Sequence, residues 1–152
     1  MNTDSKPVGF TMRPDPEHPG WHRWELNDAT RFNAFVIGAL RLKAEGEDTA
    51  RVRMDVKQHH TNGGNGIHGG TTLGLVDCSM FAALHLLRGT DASRSVTVDT
   101  STQFIGAGDP SRPLDSVVEV LRETRRLAFL RGLIVQDDDL IASFTGTVRR
   151  YS

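Results

Sequence analysis

A chain of 152 residues fits one domain of ordinary size and excludes a two-domain enzyme. Its hydrophobic content of 38%, with 15 glycines besides, suffices for one core, and a formal net charge of −1 offers no field to gather a nucleic-acid backbone. The single cysteine, Cys78, excludes an internal disulfide, residues 1–7 lack the apolar stretch of a signal peptide, and no apolar run reaches the roughly 18 residues that span a bilayer. A cytoplasmic protein that binds neither nucleic acid nor membrane is expected.

Residues 1–20 hold four of the six prolines, Pro7, Pro14, Pro16 and Pro19. Such a stretch neither propagates a helix nor pairs as a central strand, and it reads as an extended or mobile arm before a single domain over 21–152. After an irregular segment at 27–34, the branched residues of 35–43 predict a strand, and Gly46-Glu47-Asp48 a turn. Ala50, Val52, Met54 and Val56 then alternate with Arg51, Arg53, Asp55 and Lys57, the period-two pattern of an antiparallel strand with one buried and one wet face. Residues 69–88 are apolar nearly all round, free of proline and about five turns long, which predicts a buried helix. Four more strands follow over 95–104, 114–122, 127–135 and 140–149, with a loop at 106–110 and a tight turn at 136–139. One long helix among about six antiparallel strands is an α+β domain whose sheet must curl around the helix.

The chemistry lies in residues 59–77, between a strand and the helix. Gly64-Asn65-Gly66-Ile67-His68-Gly69 matches the glycine pattern of dinucleotide sites, but it does not follow directly on the strand, and no second parallel strand comes after the helix. No Gly-Lys-Ser/Thr completes a phosphate loop. His59, His60, His68, Asp77 and Cys78 match no metal-ligand spacing, and a thiol inside an apolar helix is more often a packing residue than a nucleophile.

Asp77 is the only charged residue between Gly69 and Leu87, and a buried carboxylate is costly unless it is paired or kept for function. The alternative is a helix face open to water at that point. Gly74, which weakens the helix by about 1 kcal/mol relative to alanine, suggests a close approach to the backbone beside Asp77. At the helix start, Gly69, Gly70 and Thr71 offer free N–H groups that suit a developing oxyanion. Gly69 and Asp77 lie eight residues apart, about 12 Å along one helix, so they cannot meet at one reacting carbon within one chain. Two copies with antiparallel helices would join them, which predicts an isologous homodimer with its sites at the interface.

Asn62-x-x-x-Gly66-x-His68-Gly69-Gly70 followed by Leu75-Val76-Asp77 resembles the signature of hot-dog-fold acyl-CoA thioesterases, in the branch of phenylacetyl-CoA thioesterases, over about residues 33–150. The resemblance implies a hot-dog fold, a dimer or a dimer of dimers, and hydrolysis of acyl-CoA to free acid and CoA with no metal and no cofactor beyond the coenzyme A of the substrate. It assigns Asp77 as general base or nucleophile, Gly69 N–H as donor to the thioester oxygen and His68 as its helper. Asn62 would orient water or the carboxylate, and Thr97 would place a hydroxyl beside the site. Arg125 and Arg126 would meet the CoA phosphates. The bland readings are a turn-forming Asn62, an ordinary strand threonine at Thr97 and solvated arginines. The alternative functions are a non-catalytic acyl-CoA sensor and a dehydratase, whose proline-containing histidine motif is missing. How Phe81, Leu84, Phe104 and the arm meet would set the acyl preference.

Overall fold

Alternation in the arginine-rich strand is used as the sequence suggests: Ala50, Val52 and Met54 are fully buried, while Arg51 and Arg53 reach the other face. In the computed structural model, which describes residues 6–151, this strand is one of eight. They are β1 Phe10–Pro14, β2 His22–Leu26, β3 Leu40–Ala44, β4 Thr49–Met54, β5 Ser95–Phe104, β6 Leu114–Glu123, β7 Leu127–Gln136 and β8 Asp139–Arg150. One long helix, α1 Gly69–Arg88, stands between β4 and β5. The strands form one sheet in the order β1-β2-β3-β4-β6-β7-β8-β5, antiparallel throughout. Register shifts between Thr97 and Asp99, Val120 and Arg122, and Ile134 and Val135 bend the long strands, so the sheet curves around α1 as the hot-dog fold requires.

Eleven residues of α1 are buried, among them Leu75, Val76, Met80, Ala83 and Leu84. Their partners come from every strand of the middle sheet: Leu42, Val52, Val118, Leu130, Ala142 and Val148 are all at most 1% exposed. The length and apolar composition of α1 would also suit a membrane span, but here its apolar surface is consumed by the sheet. A buried hydrogen bond of 2.8 Å joins Ser79 of α1 to Ser116 of β6 and satisfies both hydroxyls. On the far face of the sheet, Asp115 accepts from Arg51 and Arg53 at 2.7–3.0 Å, tying β6 to β4.

Two expectations change. The strand over 35–43 is in fact a π-helical turn, Asn33–Ile37, followed by β3 from Leu40. Gly38, at φ +84, takes a backbone conformation closed to branched residues, and its N–H caps the turn on the Asn33 carbonyl at 2.8 Å. The turn thus ends where the branched run suggested continuous strand. In the segment read as an arm, Phe10–Pro14 pairs with β2 as the outer edge of the sheet, and β2 is the other strand the sequence did not announce. Phe10 stacks on Trp24 at 4.0 Å between ring centroids, and Pro14, which has no N–H to donate, stands last in an edge strand where none is needed.

Gly132 in β7 leaves room for the Phe144 ring across the β7–β8 pair. A Cβ there would lie 2.6 Å from the carbonyl oxygen of Val117, which the sheet cannot move. Gly132→Ala should therefore cost about 2 kcal/mol, read as a lower midpoint in urea with an unchanged slope.

Candidate functional site

The loop before α1 is built by its own polar groups. After a short turn at Gln58–His60, Thr61 and Ile67 form an isolated bridge that closes a tight loop. Inside it, the Asn62 side-chain oxygen accepts the N–H groups of Gly64 and Gly66 at 2.9 and 3.1 Å, and Asn65 sits at φ +59. Within one chain Asn62 shapes its own loop, its oxygen taken by these two N–H groups and not by Asp77. The sequence-based role at the carboxylate does not arise within one chain, because the loop ends at the N-terminus of α1 and Asp77 lies two turns further along.

His68 is the residue that caps α1. Its Nδ1 accepts the Gly70 N–H at 2.8 Å, and its carbonyl accepts from Thr71 and Thr72 at 2.9 and 3.2 Å. A ring that accepts at Nδ1 carries its proton at Nε2, so His68 presents a donor. Its own N–H is held by the His60 carbonyl at 2.9 Å, which also accepts the Thr71 hydroxyl at 3.0 Å. Three N–H groups of the first turn are therefore spent. Among the described residues, the Gly69 N–H has no hydrogen-bond partner, and it stands at the positive end of a twenty-residue dipole. The Phe104 ring lies against Gly69, at a distance where a Cβ would be in ordinary contact, 3.7 Å.

Asp77 is half-buried, and its Oδ1 accepts the Thr97 hydroxyl at 2.5 Å. Thr97 reaches it because β5 runs beside α1, with Phe104 against Gly69 at one end and Thr97 at Asp77 at the other. The structure therefore brings Thr97 to Asp77 and His68 to Gly69. It leaves the two pairs eight residues apart on one helix, about 12 Å, as the sequence implies.

Gly74 does accommodate a close neighbour, but that neighbour is the protein itself. Ile37 lies where a Gly74 Cβ would come within 2.9 Å, with Phe32 next to it, and Asn33 donates its amide N–H to the Cys78 sulfur at 3.2 Å. The turn at 33–37 was hidden from sequence reasoning, and Gly74 was the signal of it. Cys78 is buried, and burial together with the Asp77 charge pushes its thiol up to about 12, so it remains a neutral packing group. His59 and His60 both donate to the Val36 carbonyl, at 2.9 and 2.5 Å, and do not converge with His68 or Asp77. Burial lowers the His60 pKa and keeps that ring neutral. The one group of potential metal ligands among the described residues is Asp15, Glu17 and His18, outside this loop in sequence and already engaged: His18 bonds Asp15 at 2.9 Å and Arg41 at 2.6 Å.

Arg125 and Arg126 are exposed beside Arg149, Arg150 and Tyr151 around a cavity of about 330 Å³. The sequence did not mark the last three, which reach the first two through the pairing of Leu127 with Arg149 and the hydrogen bond from the Arg150 N–H to the Arg126 carbonyl at 2.8 Å. Arg150 is bound to Glu123 at 2.6 Å, and the Arg149 guanidinium covers the Tyr151 ring at 4.9 Å. Arg149 also pairs with Val96, the neighbour of Thr97, so this cationic corner shares an end of β5 with Asp77.

The family model described as acyl-CoA thioesterase N-terminal domain matches residues 56–150. No curated protein matches the chain. Among solved structures, thioesterase superfamily member 2 of zebra fish is 25% identical with a TM-score of 0.70, covering 82% of this chain and 89% of its own. A conserved protein of Pseudomonas aeruginosa is 27% identical with a TM-score of 0.67, covering 80% and 94%. The PaaI protein of E. coli, from the phenylacetic acid degradation operon, is 22% identical with a TM-score of 0.66, covering 83% and 86%.

The Cys78 thiol sets a pH dependence. Its folded value near 12 exceeds the ordinary 9.0, so thiol ionisation favours the unfolded chain as pH rises between these values. Stability should fall there by up to about 1.4 kcal/mol per pH unit, and Cys78→Ala should flatten that part of a pH series of urea unfolding curves.

Proposed function

The chain belongs to the acyl-CoA thioesterase N-terminal domain family, and on that premise we propose that it hydrolyses an acyl-CoA thioester to the free acid and CoA as a homodimer with two shared sites. The observation that carries the reading is the pair of unlike groups on one helix: a carboxylate held by Thr97, and an unpaired N–H at Gly69. Thr97 occupies one oxygen of Asp77 and leaves the other to take a proton from water as the water oxygen attacks the thioester carbon, or to attack that carbon itself. Negative charge then gathers on the former carbonyl oxygen, where the Gly69 N–H and the His68 Nε2–H donate to it. Collapse re-forms the carbonyl and breaks the carbon–sulfur bond, and CoA leaves as a thiolate that takes up a proton; where Asp77 itself attacks, water then cleaves the acyl–aspartyl anhydride to release the acid and restore the carboxylate. Phosphates of the CoA portion suit the corner of Arg125, Arg126 and Arg149, whose planar guanidinium groups bind such oxygens in pairs.

The 12 Å separation supports a second copy that brings its Gly69 to this Asp77. So does β5, whose ten residues pair with β8 on one side and, among the described residues, with no strand on the other. Val96, Val98 and Phe104 of this strand are exposed. A bare edge of that length is suited to pairing with its own symmetry mate.

Thiol release from acyl-CoA substrates tests the activity, and no turnover on any of them overturns it. Asp77→Ala should lower kcat by about 10³ with the fold intact. Gly69→Pro removes the donor at a position that tolerates proline, since His68 before it is already extended at φ −65 and ψ 136. Each variant alone should be inactive. Unfolded together and refolded, they should recover about a quarter of wild-type activity, because half the dimers are mixed and each mixed dimer holds one intact site. No recovery would exclude sites shared between copies.

A further inference from the structure

Asp77 has two flanks. On one, β5 brings Thr97 to the carboxylate. The other is closed by the turn at 33–37, which sets Ile37 and Phe32 over Gly74 and Asn33 against the sulfur of Cys78, the next residue after Asp77. This turn is braced from behind. The Val36 carbonyl takes donors from both His59 and His60, and the His60 Nδ1 accepts the Lys57 N–H at 2.9 Å. Ile37 is buried, yet Phe32 remains 56% exposed, a large apolar ring displayed on a fixed support. Beside Phe32 opens a cavity of about 390 Å³ lined by Pro7, Val8, Leu26 and Asn33 among others. Its size is that of a small-ligand site, and its apolar residues come from the segment before β1, from β2 and from Phe32 itself, with Lys6 and Arg31 also in the lining.

We propose that Phe32 is a specificity-determining residue, against which the acyl chain of the substrate lies as it runs from the carbon at Asp77 toward this cavity. The proposal rests on the thioesterase reading and deepens it. Gly74, beneath Phe32, precedes Asp77 by about 4.5 Å along the helix axis, so an acetyl group ends before the ring and an octanoyl chain passes over it. The contact is apolar on both sides, and it discriminates by the area of ring that the chain covers.

The test compares acetyl-CoA with octanoyl-CoA in wild type, Phe32→Ala and Phe32→Leu. The ratio of kcat/KM for octanoyl-CoA to that for acetyl-CoA should fall about tenfold in Phe32→Ala, through KM, and only about twofold in Phe32→Leu, which keeps an apolar surface. Calorimetry with S-octyl-CoA, a thioether that cannot be hydrolysed, gives a readout independent of turnover. It should bind wild type about tenfold more tightly than CoA does, and Phe32→Ala should remove that difference. An unchanged ratio overturns the proposal, as does S-octyl-CoA binding wild type no better than CoA. So does a change in subunit number for Phe32→Ala on sizing, which would place the ring in a contact between copies. If no acyl-CoA is turned over while the S-octyl preference and its loss persist, the hydrolase reading fails and the role of Phe32 in holding the acyl chain stands.

Discussion

A helix that is apolar nearly all the way round persists in water only if it is wrapped, and the architecture of this protein follows from that requirement. The strands that do the wrapping are bent by register shifts, and backbone approaches at Gly74 and Gly132 bring other layers closer than a side chain would permit. The one stripe left open carries Gly70, Leu73, Asp77 and Phe81 at helical spacing. Function has a single face of the helix available to it, and the carboxylate lies in the middle of that face.

How legible each part was depended on whether its cause was local. Strands β5 to β8 and α1 were readable to within a residue or two, and β4 to within three since it stops at Met54, because a period of two or an unbroken apolar run reports the face that is buried. The turn at 33–37 was not, since its branched residues have strand propensity and it is Gly38 and the distant partners His59 and His60 that enforce the turn. Strands β1 and β2 were missed because their pairing depends on Phe10 meeting Trp24 across an edge that no local pattern announces. Asn62 shows the opposite case. Its residue type announced a turn as clearly as a catalytic role, and within one chain its oxygen takes the two N–H groups of that turn. Arg149 and Arg150 were invisible because cross-strand pairing, not spacing along the chain, gathers the cationic corner.

Near-zero net charge conceals strong local organisation. Most arginines near the sheet are engaged in ion pairs, as Arg53 is with Asp115, Arg88 with Glu123 and Arg131 with Glu119. Exposed pairs of this kind add little stability each. Their consequence here is that positive charge is cancelled over the far face of the sheet and accumulates where β7 begins and β8 ends.

The sheet order contains one departure from the order of the chain. Every strand but β5 lies beside a sequence neighbour, whereas β5 pairs only with β8, so Ser95 meets Arg150 near the far end of the chain. Pairing of β5 therefore requires that β8 has been made, with a long loop to close. Thr97 is carried by β5. The hydrogen bond that orients Asp77 thus depends on a strand pairing that closes a long stretch of chain, and not on the helix alone.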